Sequence, residues 1–231
     1  MLKKNKRNFI GYGAKGIKIS WPNNAKLALQ IVLNYEEGGE NSILNGDKYS
    51  ETFLSEIIGA KAIKGRHISM ESIYEYGSRA GFWRLDKLFK EKKIPVTIFG
   101  VGLALKQNPE VCEAIKKGNY EIAAHGYRWI DYQNIKKSVE KKHMKQAINV
   151  IKEIFGSRPL GWYTGRCSPN TRDLVFDDGN FMYDSDSYSD DLPYWEYRGK
   201  KKQLIIPYTL DNNDMRFAMN QGFNTGDHFY N

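Results

Sequence analysis

The chain has 231 residues, of which 41% are hydrophobic, 27% charged and 13% aromatic. That globular composition excludes a peptide, a disordered chain and a membrane protein with its surplus of apolar residues. Its 35 Lys and Arg against 27 Asp and Glu give a formal net charge of +8, which raises nucleic acid, an anionic membrane or an acidic substrate as partners.

The distribution of that charge argues against nucleic acid. Lys3, Lys4, Lys6 and Arg7 form a basic tail, and Arg198, Lys200, Lys201 and Lys202 sit in a loop between two strands. Lys136, Lys137, Lys141, Lys142, Lys145 and Lys152 ride one long helix with Glu140 and Glu153, as solvated faces do. Residues 184–196 hold Asp184, Asp186, Asp190, Asp191 and Glu196 with no Lys or Arg, which does not suit a phosphate-tracking groove. Cys112 and Cys167 are too few for a disulfide scaffold and fit a reducing compartment. The basic N-terminus has no apolar segment or cleavage site behind it, so a cytoplasmic location is expected. The longest nearly apolar stretch, 94–105, is well short of the ~20 residues that span a bilayer, and no membrane is expected as partner.

In chain order, residues 1–20 read as a tail and 21–231 as a single domain without repeats or linkers. The run AKLALQIVLN, 25–34, predicts a buried strand that ends in the turn Tyr35-Glu36-Glu37-Gly38-Gly39. Residues 40–69 read as a long irregular excursion. Phe82, Leu85, Leu88 and Phe89 have helical spacing over 79–92, followed by Pro95 and a strand over 96–99. A short helix over 109–117, with Pro109 early and Gly118 after it, precedes a strand over 120–124. A long amphipathic helix over 134–155, closed by Gly156, leads to a strand over 160–164. Ser168-Pro169-Asn170 opens a helix to Asp177, and strands follow over 181–184 and 204–208. Thr225 caps a last helical turn, 226–230.

Strands alternating with helices predict a parallel α/β sheet, either doubly wound and open or closed as a (β/α) barrel. In both, the site lies at the C-terminal ends of the strands. Glu36 and Glu37 follow the first strand, His125 the 120–124 strand, Arg166 the 160–164 strand, and Asp211 and Asp214 the last one. These should converge on one rim. The plain alternatives are solvated loop glutamates, a structural histidine and a structural Asp-Arg pair. Trp129 stands four residues after His125, so there is no H-x-x-x-H pair, and a three-ligand zinc site is hard to assemble from His67, His125, His143 and His228.

Five ordered stretches, 34–38 (NYEEG), 125–129 (HGYRW), 158–166 (RPLGWYTGR), 184–188 (DSDSY) and 206–217 (IPYTLDNNDMRF), resemble the motifs of the polysaccharide deacetylase (NodB-homology) superfamily. They are most similar to its metal-independent allantoinase branch. The resemblance implies a distorted (β/α) barrel of the NodB type, incomplete towards the C-terminus, because superfamily members continue to a late L-x-H motif absent after Tyr208. Two departures matter. Glu36 and Glu37 stand where deacetylases carry a general-base Asp and a metal-binding Asp, and Trp129 stands at the second metal-binding histidine.

The resemblance therefore implies a hydrolase of non-peptide C–N bonds that opens a cyclic ureide or imide, with no cofactor. Glu36 is assigned as general base, with Glu37 tuning it or shuttling a proton. His125 hydrogen-bonds the substrate or its oxyanion, and Arg166 presents a planar fork to ring carbonyls. Trp129 and Tyr163 wall the pocket, and Asp211 and Asp214 hold Arg166 or a substrate amide. The alternatives are a zinc-dependent N-deacetylase of an amino-sugar polymer, with Glu37 and His125 as ligands, and an inactive remnant. An incomplete sheet exposes an unpaired edge, so a homo-oligomer is expected.

Overall fold

The apolar runs separated by amphipathic helices assemble into one sheet with its helices on one face. The computed structural model describes residues 7–219 and 222–231. Residues up to Gln30 form one compact unit and Ile31–Asn231 a second. The first, as far as described, consists of turns and a single 3-10 turn, Pro22–Asn24, with no strand.

The second unit begins with β1 (Val32–Tyr35), α1 (Ile68–Tyr76) and α2 (Phe82–Lys92). Then come β2 (Thr97–Gly100), α3 (Gly102–Gln107), α4 (Pro109–Lys117), β3 (Glu121–Ala124) and α5 (Lys137–Phe155). The chain continues through β4 (Gly161–Trp162), α6 (Thr171–Asp178), β5 (Tyr183–Asp184), β6 (Tyr194–Arg198), β7 (Lys201–Ile205) and α7 (Gly226–Tyr230). The strand order is β1-β2-β3-β4-β5-β7-β6. All neighbours are parallel except the β6-β7 hairpin, in which Tyr194 pairs with Ile205. Among the described residues no ladder joins β1 to β6, so the sheet is open, a parallel-dominated α/β sheet rather than a closed barrel.

Several elements differ from expectation. The strand expected over 25–34 starts only at Val32, and Leu27 and Leu29 are exposed. Val32 pairs with Thr97, and the neighbouring strand cannot reach further back because Pro95 has no N–H to donate. The helix expected over 79–92 begins at Ile68, since one π-helical turn, Gly77–Gly81, connects α1 to α2 without a break. Its two glycines hid that continuity. The strand β6 and the short helix α3 were not anticipated, and Lys201 and Lys202 lie in β7 rather than in a loop. Glu140 is not on a solvated face: it is buried and accepts hydrogen bonds from Ser168 Oγ at 2.6 Å and from Thr171 Oγ1, tying α5 to the start of α6. Among the described residues no helix is long and apolar enough to cross a membrane.

Alternate residues of a strand face opposite sides, and the two faces carry different cores. Leu33, Tyr35, Ile98, Ile122 and Trp162 pack with Ile115, Ile148, Ile151 and Leu174 of the helices. On the other face Phe99, Ala123, Tyr163 and Tyr183 cluster with Val32, Leu204, Ile206 and Tyr208. Continuing the two-residue period past the C-terminal strand ends puts Asn34, Glu36 and His125 on this aromatic face.

Candidate active site

The turn after β1 separates the two adjacent glutamates. Gly39 N donates to Glu36 O at 2.8 Å, and Gly38 sits at φ +94°, a region open to glycine at little cost. A Cβ on Gly39 would lie 2.5 Å from Val101 Cγ1, so this corner needs glycine for room as well. Glu36 follows the face of Asn34, whereas Glu37 follows that of Tyr35.

Glu36 meets His125. The His125 Nε2 to Glu36 Oε1 distance is 2.9 Å, with the imidazole buried and Glu36 partly open. A carboxylate can only accept, so the proton of this bond belongs to Nε2. His125 Nδ1 is buried with no hydrogen-bond partner. The Tyr163 ring lies 4.8 Å from the imidazole and stacks on Tyr208 at 4.6 Å and 12°, with Phe99 at 5.2 Å. Asn34 and Asn213 donate to the Tyr208 hydroxyl at 3.2 and 2.9 Å, and Tyr163 and Tyr188 share a hydroxyl contact of 2.9 Å. Burial raises the Tyr163 and Tyr208 pKa values, so both stay neutral hydrogen-bonding groups. Gly165, at φ +73°, passes close behind: a Cβ there would stand 3.2 Å from the Tyr163 ring and 3.3 Å from His125 Cε1.

A second wall comes from the excursion between β1 and α1. Arg128 clamps it by donating to Gly39 O and Glu40 O and by pairing with Asp47, and Trp129 N donates to Gly39 O at 2.8 Å. The Arg166 guanidinium carbon lies 3.8 Å over the Trp129 ring and 5.0 Å from that of Phe53. Its carboxylate partner is Glu51, with Nη1 to Oε2 at 3.5 Å. Trp129 is thus a buried platform under Arg166, in contact also with Phe53 and Tyr74.

The structure brings Glu36, His125 and Tyr163 into one group and Trp129 and Arg166 into another, with Glu36 and Arg166 both within electrostatic reach of Tyr74, and three expected residues join neither group. Asp211 and Asp214 are exposed and do not hold Arg166; the Asp211 carboxylate accepts from Asn212, and Asp214 begins a 3-10 turn. Asn213, between them, is the residue that reaches the site. Glu37 turns away: its Oε2 accepts from Glu36 N at 3.1 Å, and its Oε1 packs on Gly77, where an added Cβ would lie only 1.7 Å away. It lines a separate cavity of about 340 Å³ with Tyr35, Glu40, Arg79 and Asn108. Burial pushes its carboxyl up to about 7.

A divalent ion held as in the zinc alternative needs Glu37 and His125 on one centre. They face apart, Glu36 engages His125 Nε2, and Trp129 supplies no donor. Among the described residues no group of three or more His, Cys, Asp or Glu side chains is placed to hold a metal ion, so the donor set does not fit one.

Reading residues one at a time missed Asn34, Glu51, Phe53, Asp186 and Tyr208. The two-residue strand period flags Asn34 beside Glu36. Asp186 follows β5 and accepts from Thr164 N and Gly165 N at 2.8 and 2.9 Å, fixing the loop behind His125. Burial raises both Asp184 and Asp186, Asp184 to about 7 with the charge of Asp186 contributing. Nothing local in the sequence marks Glu51 or Phe53.

A family model described as polysaccharide deacetylase matches residues 64–179. A protein of Schizosaccharomyces pombe (strain 972 / ATCC 24843) named "Putative polysaccharide deacetylase" is 41% identical over 244 residues, covering 97% of this chain and 76% of that one. The crystal structure of PuuE allantoinase is 55% identical with a TM-score of 0.93, over 99% of this chain and 76% of its own. That of a probable polysaccharide deacetylase from Pseudomonas aeruginosa PAO1 is also 55% identical, with a TM-score of 0.94, over 98% of this chain and 76% of its own.

Proposed function

The chain belongs to the polysaccharide deacetylase family, and on that premise we propose that it hydrolyses the C–N bond of a cyclic ureide or imide, as in the opening of allantoin to allantoate. The observation that carries this reading is the 2.9 Å contact of His125 Nε2 with Glu36 Oε1. It leaves the other oxygen of Glu36 free to act on water, beside an aromatic wall suited to a flat ring. The 55% identity to PuuE allantoinase supports the same reading.

In the proposed sequence Glu36 takes a proton from water as the oxygen attacks a ring carbonyl carbon. Charge develops on the carbonyl oxygen, and the Arg166 edge stabilises it. The C–N bond then breaks, Glu36 returns its proton to the departing nitrogen, and the carboxylic acid so formed releases its remaining proton to solvent to give the carboxylate product. His125, donating from Nε2, orients Glu36. Stacking on Trp129 keeps the Arg166 plane fixed, and Tyr163 with Tyr208 receives the ring face.

The experiment measures turnover of allantoin, hydantoin, a cyclic imide and an acetylated amino-sugar oligomer, each with and without chelator. Expected are ring opening that survives chelation and a fall of about a hundredfold or more in kcat for Glu36→Gln, the scale of general-base catalysis. Ring opening undiminished in Glu36→Gln sinks the base assignment. Zinc-dependent release of acetate from the oligomer favours the alternative, an N-deacetylase, which the names of the family and of the S. pombe relative support.

A further inference from the structure

Glu51 takes no part in the steps above, yet its carboxylate is buried against the guanidinium of Arg166. We propose that Glu51 is a specificity-determining residue: by cancelling the charge of Arg166 it makes the pocket accept a neutral ring and release the carboxylate that ring opening creates. This rests on the ring-opening reading. A lone guanidinium binds a carboxylate through two parallel N–H bonds better than it binds a neutral carbonyl. With Arg166 unpaired, hydrolysis would convert a weaker ligand into a tighter one, and product would block the site.

The geometry prevents this. Glu51 is held in place by its own segment: Oε1 accepts from Thr52 N at 2.9 Å and Phe53 N at 3.1 Å, and Oε2 accepts from Asn41 Nδ2 at 2.7 Å while lying 3.5 Å from Arg166 Nη1. Burial opposes its ionisation, but these hydrogen bonds and the Arg166 charge outweigh burial and hold it below the ordinary carboxylate range. Trp129 and Phe53 lie against the guanidinium, and the Arg166 side chain remains 25% exposed. Tyr74 lies within electrostatic reach of Glu51, Glu36 and Glu40 as well as Arg166, so three carboxylates stand around it against one guanidinium. That balance repels an anion and is indifferent to a neutral ring.

Two probes of nearly equal size separate the cases: hydantoin, a neutral ring, and N-carbamoylglycine, its ring-opened carboxylate. Their affinities are measured by titration calorimetry on the full chain. Glu51→Gln retains an acceptor for Thr52 and Phe53 but loses the charge. Expected is a gain of about tenfold or more for N-carbamoylglycine, weakened by salt, with hydantoin changed by less than about threefold. Arg166→Gln, which leaves Glu51 untouched, should lose carboxylate affinity further, and Glu51→Gln/Arg166→Gln should return the preference to that of the wild type. Parallel weakening of both probes in Glu51→Gln means a merely structural role and overturns the proposal. So does an unchanged preference, or no binding of either probe by the wild type. Turnover is scored separately: charge selection that responds to Glu51 without ring hydrolysis refutes the ring-opening reading alone, and hydrolysis with a Glu51-independent preference refutes this proposal alone.

Discussion

Replacing Glu37 with Gln should stabilise the protein in alkali and leave it unchanged in acid. The folded carboxyl keeps its proton up to about 7 against an ordinary 4.5, with burial as the main cause. Below about pH 4.5 the group is protonated in both states and contributes no difference. As the pH rises towards 7, the unfolded chain releases a proton that the folded chain retains, so stability falls across that window and levels off above it. At about 1.4 kcal/mol for each tenfold in proton affinity, the gap corresponds to about 3 kcal/mol; residual solvent contact of Glu37 lowers this to about 2 kcal/mol. Gln keeps the acceptor for Glu36 N and has no proton to lose. For a chain of this size Tm should rise by about 4–8 °C at pH 8.5 and by about zero at pH 4.5, measured by circular dichroism. Asp184 loses stability over a similar range, but it does so in both proteins and cancels in their difference. Parallel Tm profiles for variant and wild type from pH 4.5 to 8.5 would refute a protonated, buried Glu37.

Gly77→Ala tests the same contact from the other side. Gly77 has helical dihedrals, φ −57° and ψ −49°, where Ala is ordinarily better by about 1 kcal/mol. Here the new Cβ meets Glu37 Oε1, so a loss of about 1–3 kcal/mol is expected in chemical denaturation. In a Glu37→Ala background the sign should reverse, and a loss that persists there would show that another neighbour is responsible. Glu140→Ala strips the acceptor from two buried hydroxyls and should cost about 3 kcal/mol, whereas exposed Lys141→Ala should stay within about 0.5 kcal/mol; equal effects in a urea titration would contradict the buried role of Glu140.

Much of the sheet was legible because its signals are local. An apolar run such as 120–124 marks a strand wherever it occurs, and Pro109 and Gly118 bracket α4 as expected. Position after a strand also pointed to Glu36, His125 and Arg166, since a parallel sheet brings its C-terminal strand ends together, but the same rule pointed equally to Glu37, Asp211 and Asp214. Where local signals misled, a partner decided. Leu27 and Leu29 read as strand, yet β1 reaches only as far as β2 can hydrogen-bond. Glu140 read as one charge among lysines, yet α6 presents two hydroxyls to it.

The sequence by itself determined the alternation of strand and helix, the corner at Gly38-Gly39 and the residue types that meet at the rim. These depend on backbone sterics, hydrophobic period and covalent spacing, which act over a few residues. Only the tertiary structure decided that Glu36 faces His125 while Glu37 faces Gly77, and that Arg166 takes Glu51 rather than Asp211 or Asp214 as its carboxylate. The first choice follows from which side of β1 each residue leaves after the turn. The second follows from the excursion between β1 and α1, whose course is set by Arg128 and not by any periodicity of its own. A carboxylate finds its cation through space, and the sequence between them carries no record of the distance.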